Sequence, residues 1–150
     1  MTTIENDRTE NKKIVQGVFD ELAKGNSKPL LDRLADDFRF VIMGTGSWSR
    51  SFDGKAVVLT ELFAPLRERI AGRIATIPVR LIAEGDLVVV EARGRNTTTE
   101  GRAYDNTYCN VIRLEAGQFK EWIEYCDTLL VENVLGPPPM APSHPAAKCG

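Results

Sequence analysis

Three polar side chains occur in two neighbouring segments that otherwise read as β-strands, and their spacing could support proton transfer. Asn106 and Tyr108 are two residues apart and so point to one face of the first strand, while Glu124 lies on the second between Trp122 and Cys126. A carboxylate among apolar neighbours loses water, which raises its pKa toward the range useful for general acid–base catalysis. An amide and a phenol can hold a carbonyl or enolate oxygen. We therefore predict catalytic roles for Glu124, Tyr108 and Asn106.

Structural alternatives stay open for the same three residues. One β-bulge would turn Glu124 toward solvent. Asn106 and Tyr108 could instead form a cross-strand polar pair or lie in a dimer interface. Tyr104 and Asn110 share the face of Tyr108 and would extend the lining of a pocket. The residues predicted to bind the hydrophobic body of a ligand are Phe40, Ile42, Trp48, Tyr104 and Trp122.

Composition and charge exclude several classes of protein. The chain has 150 residues, 43% of them hydrophobic, and a net charge of −2, which is typical of one ordinary globular domain. It has no basic stripe with interleaved aromatics, so we predict no nucleic-acid partner. No apolar run approaches the ~18 residues of a membrane span, and the start lacks a secretory pattern, so we predict a cytoplasmic protein without a membrane partner.

The cysteines and the histidine argue against metal and triad chemistry. Cys109, Cys126 and Cys149 have no metal-ligand spacing and form no even disulfide framework. The only histidine, His144, lies in a proline-rich segment, which removes histidine-based zinc sites and a Ser-His-Asp arrangement from consideration. We therefore predict that the protein uses no cofactor and no metal.

Hydrophobic periodicity predicts helices first and strands afterwards. Apolar residues at helical spacing predict helices over 10–24, from Pro29 to 36–37, and over 55–70, with a kink or a new first turn at Pro65. Strands are predicted over 38–43, 73–83, 86–95, 102–114 and 118–131, and residues 44–54 are predicted to form a loop. This order indicates an α+β domain with helices on one face of an antiparallel sheet. Residues 1–9 are predicted to be flexible, and residues 136–150 to be extended or disordered.

The order of elements resembles the nuclear transport factor two-like superfamily, in its SnoaL-like and ketosteroid-isomerase-like branch. The resemblance covers residues 10–135, and its most specific pieces are Leu34-Ala-Asp-Asp37, Gly85-Asp-Leu-Val-Val-Val-Glu91 and Gly117-Gln-Phe-Lys-Glu-Trp-Ile-Glu-Tyr-Cys-Asp127. It implies a cone-shaped, curled antiparallel sheet packed against N-terminal helices, the cystatin-like α+β roll. The same cone hosts enzymes, scaffolds and binding modules, so the fold does not define the function.

One catalytic position of the family carries over to this chain. The tyrosine and aspartate of the isomerases correspond to Val18 and Ile42. The epoxide hydrolases' polar residues correspond to apolar or small ones: Phe40, Ile42, Ala92 and Gly94. Their general base, a carboxylate two residues after a late-strand tryptophan, corresponds to Glu124.

These observations predict a SnoaL-like protein that holds a small hydrophobic, carbonyl-type molecule in its cone. If it is an enzyme, the predicted reaction is a cofactor-independent isomerisation or cyclisation in which Glu124 moves the proton. Three alternatives are a binding module without catalysis, an epoxide hydrolase, and a homodimeric assembly module. In the last of these, the outer sheet face with Ile123 and Tyr125 would form the interface.

Overall fold

The computed structural model describes residues 3–139, with side chains described from residue 8 onward. Its helices are α1 (Thr3–Leu22), α2 (Lys28–Arg33), α3 (Lys55–Val57), a π-helical segment (Val58–Phe63), α4 (Ala64–Arg69) and α5 (Thr128–Leu135). Its strands are β1 (Leu34–Ile42), β2 (Ser51–Asp53), β3 (Thr76–Glu84), β4 (Leu87–Gly94), β5 (Thr107–Glu115) and β6 (Gln118–Cys126). None of these helices is both long and apolar enough to cross a bilayer.

The strands form one sheet in the order β2-β1-β6-β5-β4-β3. Neighbouring strands are antiparallel except β1 and β6, which run parallel, so the sheet is mixed rather than purely antiparallel as the sequence predicts. The sheet curls without closing, and the helices pack against its inner face. The predicted α+β cone is therefore confirmed.

Helix α1 buries one apolar stripe against β3 and β4. Val15, Val18 and Phe19 are almost fully buried, as their helical spacing predicts. The helix begins at Thr3 rather than at the predicted residue 10. Because residues 3–16 contain neither proline nor glycine, nothing in their sequence interrupts the backbone hydrogen bonds of an earlier start.

The third helical region changes its hydrogen-bonding pattern ahead of a proline. Ala64 N donates to Leu59 O, a bond over five residues that belongs to the π-helical segment. Pro65 then lies in the first turn of α4, where its missing N–H leaves no bond unmade. The predicted interruption at Pro65 is confirmed.

Several predicted boundaries are wrong, including the end of α2 at Arg33 and the starts of β3 at Thr76 and β5 at Thr107. Strand β1 begins at Leu34 instead of Phe38, with an irregularity between Leu34 and Arg39 where it pairs with β6. The predicted loop over 44–54 contains the short strand β2, which pairs with β1. The predicted last strand ends at Cys126 and not at residue 131, because Asp127 caps a helix there.

Helix α5 is absent from the sequence-based prediction. The Asp127 side chain accepts a hydrogen bond of 3.1 Å from Leu130 N, which is the N-cap arrangement. Leu130, Val131 and Val134 then follow at helical spacing and pack against the core. The aspartate followed by this spacing was the available signal, and the strand-like composition of the segment concealed it.

Candidate active site

The cone holds a cavity of about 430 Å³ between the inner sheet face and the helices. Phe40 stacks on Trp122 with ring centroids 5.6 Å apart, and the buried Phe19 also stacks on this indole at 5.5 Å. Phe63 meets the Phe40 ring edge-on at 6.0 Å. Phe40, Phe63, Trp122 and several leucines give the cavity an apolar wall of the kind that binds small organic molecules.

Glu124 lies on the cavity wall near the end of β6, directly across from Asn110 on β5. Desolvation by burial raises the pKa of Glu124 to about 7. Within the part of the chain that is described, no cation pairs with this carboxylate and no side chain donates a hydrogen bond to it. A carboxylate in this state can take up and release a proton near neutral pH.

The Asn110 amide is oriented by a neighbouring indole. Trp122 Nε1, which can only donate, gives a hydrogen bond of 2.9 Å to Asn110 Oδ1. The amide NH₂ group is therefore turned away from the indole and is available to the cavity that Asn110 lines. Asn110 is 1% exposed, so a ligand atom that meets this donor does so away from bulk water.

Two tyrosines complete the polar wall. Burial raises the pKa of Tyr104 to about 12 and the pKa of Tyr108 well above its usual value. The charge on Glu124 raises both values further, so the two phenols and the carboxylate share one electrostatic environment. Asn106 Nδ2 donates to the Tyr104 hydroxyl at 3.2 Å, so this hydroxyl oxygen acts as an acceptor within the protein. Tyr104 can therefore donate its own hydrogen to a ligand.

Asn106 is fully buried and does not line the cavity. Its Oδ1 accepts hydrogen bonds from Asp127 N at 3.0 Å and Thr107 N at 2.7 Å, and its Nδ2 donates to Asp127 O and to Tyr104. The amide is thus saturated by bonds that join the start of β5 to the start of α5. The structure does not bring Asn106 to the same space as Glu124, contrary to the expectation from spacing.

The residues predicted to bind the ligand body all lie on the cavity wall: Phe40, Ile42, Trp48, Tyr104 and Trp122. Trp48 is buried, its Nε1 donates to Gly136 O at 2.7 Å, and the Arg69 guanidinium lies 5.1 Å from its ring centre. Trp48 therefore forms fixed wall beside α5. Tyr108 lines the cavity as well, on the same wall as Glu124.

The described side chains of the cavity are poorly suited to binding a metal ion or to forming a thiolate. Burial raises the pKa of Cys126 to about 12, so its thiol stays protonated. Among the side chains described, those of residues 8–139, there is no group of three His, Cys, Asp or Glu that could hold a metal ion. His144 and Cys149 lie outside the described residues.

Residues 15–122 match the family model of the SnoaL-like domain, and the chain belongs to that family. A comparison with curated protein sequences finds no significant match. The matched range holds the end of α1, all of β1 to β5 and the first part of β6, so it covers most of the cone but ends two residues before Glu124.

Solved structures share the fold at low sequence identity. A candidate SnoaL-like polyketide cyclase from Jannaschia sp. CCS1 is 22% identical, with a TM-score of 0.71 over 93% of this chain and 98% of that one. A candidate isomerase from Bacillus subtilis is 16% identical, with a TM-score of 0.69 over 86% and 95%. An LEH-like epoxide hydrolase from M. tuberculosis is 18% identical, with a TM-score of 0.64 over 85% and 91%. At these identities the likeness establishes the cone, and the side chains must define the chemistry.

Proposed function

We propose that this protein binds a small hydrophobic carbonyl compound in its cone and moves a proton at the carbon next to the carbonyl. The observation that carries the proposal is the Glu124 carboxylate, whose pKa is raised to about 7 on the wall of an otherwise apolar cavity. A base with a pKa near the working pH combines a useful ionised fraction with useful basicity.

The first step uses Glu124 as the base. Its ionised carboxylate removes the proton from the α-carbon, the C–H electron pair forms the enolate double bond, and the carbonyl oxygen becomes negative. The neutral Tyr104 and Tyr108 hydroxyls and the Asn110 NH₂ group can donate hydrogen bonds to that oxygen. Because their pKa values are raised, the phenols donate without losing their protons.

The second step returns the proton or forms a new bond. In an isomerisation, the Glu124 carboxylic acid protonates the enolate at a different carbon, and the carboxylate is regenerated. In a cyclisation, the enolate carbon attacks a second carbonyl of the same molecule and the resulting alkoxide takes the proton from Glu124. Both routes start from the same enolate.

A solvent-exchange experiment tests this proposal. The protein is incubated in D₂O with 2-tetralone and with a panel of other hydrophobic ketones, and NMR follows deuterium uptake at the α-carbon. We expect exchange faster than in buffer, and Glu124→Gln should abolish the excess. Glu121→Gln is the matched control, because Glu121 lies on the same strand but pairs with Arg39 on the outer face. Exchange that persists in Glu124→Gln would remove Glu124 from the mechanism.

Epoxide hydrolysis is the second candidate, favoured by the correspondence of Glu124 to a water-activating carboxylate. That reaction also needs an acid for the departing oxygen. Within the described part of the chain, Glu124 is the only carboxylate that lines the cavity, and the phenols are weak acids because of their raised pKa values. Enolisation therefore fits the side chains better. A binding module without catalysis differs in its outcome: Glu124→Gln would change affinity alone.

The outer sheet face supports a homodimer, which is compatible with either activity. Register places one apolar row straight across five strands: Ile82, Val89, Val111, Ile123 and Val41. The neighbouring row carries Arg113, Glu121 and Arg39. An apolar row beside charges of both signs is self-complementary when two copies meet about a two-fold axis.

A further inference from the structure

Two arginines stand at the mouth of the cavity. Of its lining residues, four are exposed: Ser27, Arg67, Gly72 and Arg73. The opening therefore lies between the α1–α2 turn and the segment that follows Arg67 in the last turn of α4. Arg67 and Arg73 are therefore both lining residues at this opening.

Most other arginines of the described residues form an ion pair or a side-chain hydrogen bond, whereas the two at the mouth do not. Arg50 pairs with Glu61, and Arg69 donates to the carbonyl oxygens of residues 65, 135 and 137. Across residues 8–139, by contrast, Arg67 and Arg73 take part in no ion pair and in no side-chain hydrogen bond. Two cations at one opening, with no internal counter-ion, attract an anion from solution.

The stem of Arg73 is held in place by a glycine. A Cβ built on Gly25 would lie 2.7 Å from the Cβ of Arg73 and 3.2 Å from its Cδ, so the arginine occupies the space that any other side chain would need. Gly25 also has a φ of +78°, in the left-handed region that favours glycine. The turn after α1 is therefore shaped so that Arg73 lies across it at the mouth.

The interior of the cavity, in contrast to its mouth, disfavours an anionic group. Among the described residues that line the cavity, Glu124 is the one carboxylate, and most of the others are aliphatic or aromatic. An anionic group placed inside would lose water and meet a like charge, whereas at the mouth it keeps water and gains the two guanidinium groups. The cavity thus distinguishes the two ends of a ligand.

We propose that the ligand is a hydrophobic keto carboxylate, whose carboxylate lies between Arg67 and Arg73 and whose carbonyl-bearing body extends toward Glu124. This inference rests on the proposed function for the carbonyl end of the ligand only. The anion at the mouth orients the molecule so that its reacting carbon, and not its carboxylate, meets the base.

Two probes of matched size isolate the effect of the ligand's charge on binding. Anthracene-2-carboxylate and anthracene-2-carboxamide differ in charge but barely in shape. Trp48 and Trp122 are the only tryptophans in the chain, and both line the cavity. Energy transfer from tryptophan to anthracene therefore measures the binding of each probe, and the arginine variants show whether the probe binds at the mouth of the cavity.

At low ionic strength the wild-type protein should bind the carboxylate about tenfold more tightly than the carboxamide, the gain expected from two partly exposed charge contacts. The double variant Arg67→Gln with Arg73→Gln should lose that preference by weakening carboxylate binding alone. Arg95→Gln is the control, because Arg95 is exposed, carries the same charge and does not line the cavity. Added salt should reduce the preference in the wild type.

Equal wild-type affinities for the two probes would overturn the proposal. So would a double variant that weakens both probes alike, an equal effect of Arg95→Gln, or the absence of energy transfer with either probe. A failure of the proposed proton transfer can be distinguished from a failure of the carboxylate site. Glu124→Gln should abolish ketone exchange but preserve the preference for the carboxylate probe.

Discussion

Asn110 and Glu124 face each other across β5 and β6, with the amide turned so that its carbonyl oxygen accepts from Trp122 and its NH₂ group is left for the cavity. This pair places a donor beside a base on one wall. The donor can hold an oxygen while the carboxylate works on the adjacent carbon. The pair is therefore the centre of the proposed chemistry, and four predictions test it and its surroundings.

The first prediction concerns Glu124 and stability. Because burial raises the pKa of folded Glu124 from 4.5 to about 7, the unfolded chain loses this proton first as pH rises. The free energy of unfolding then falls with pH between about 4.5 and 7. Glu124→Gln removes this cost, so at pH 8 the variant should be more stable than the wild type by up to about 3 kcal/mol.

Urea unfolding from pH 4 to pH 8 measures this difference, which should vanish near pH 4, where both forms are neutral. Glu121→Gln, on the outer face, should show no comparable gain. A Glu124→Gln difference that stays constant with pH would contradict a raised pKa for Glu124.

The second prediction concerns the charge opposite Glu124. Asn110→Asp keeps an acceptor for Trp122 Nε1 but places a second carboxyl across from the first. Two carboxylates at this separation do not ionise together easily, so the pKa for full ionisation of the pair rises above that of Glu124 alone. The pH midpoint of ketone exchange should move upward by about one unit or more.

Exchange measured by NMR between pH 5 and pH 9 gives that midpoint. Asn110→Ala is the comparison, because it loses the same amide without adding a charge, and it should lower the rate without raising the midpoint. An unchanged midpoint in Asn110→Asp would show that the two positions are not coupled.

The third prediction separates Asn106 from the chemistry. Asn106→Ala removes four hydrogen bonds and leaves the N–H and C=O of Asp127 without this partner. The variant should lose about 2–4 kcal/mol of unfolding free energy. Chemical denaturation measures the loss, and Asn133→Ala, which truncates an exposed side chain on α5, should cost little. A neutral Asn106→Ala would refute this structural assignment.

The fourth prediction concerns assembly. Ile123 lies in the middle of the apolar row on the outer sheet face, so Ile123→Lys would bury a charge in the proposed dimer interface. Light scattering at micromolar concentration should give a dimer for the wild type and a monomer for this variant. Thr60→Lys adds the same charge to an exposed helical position and should remain dimeric. A monomeric wild type would rule out the dimer.

Local patterns predicted much of the fold. The stripe of Val15, Val18 and Phe19 defined α1, and Pro65 marked the break between the π-helical segment and α4. Boundaries were less accurate, since the start of β1 and the whole of β2 depend on pairing with distant strands. Helix α5 was missed because Leu129, Leu130 and Val131 suit a strand as well as a helix, and only the Asp127 cap decides between them.

The sequence by itself determined which residues share a face of a strand, since side chains alternate, and so it placed Glu124, Tyr108 and Trp122 on one wall of a cone. It could not say which amide reaches the cavity, because Asn106 and Asn110 have the same parity in the strand predicted over 102–114. The tertiary structure decided this through hydrogen bonding: the start of α5 saturates Asn106, whereas Trp122 engages only one side of Asn110. Packing of the distant α5 and β6 against β5 therefore selected the donor, and no spacing within the chain encodes that contact.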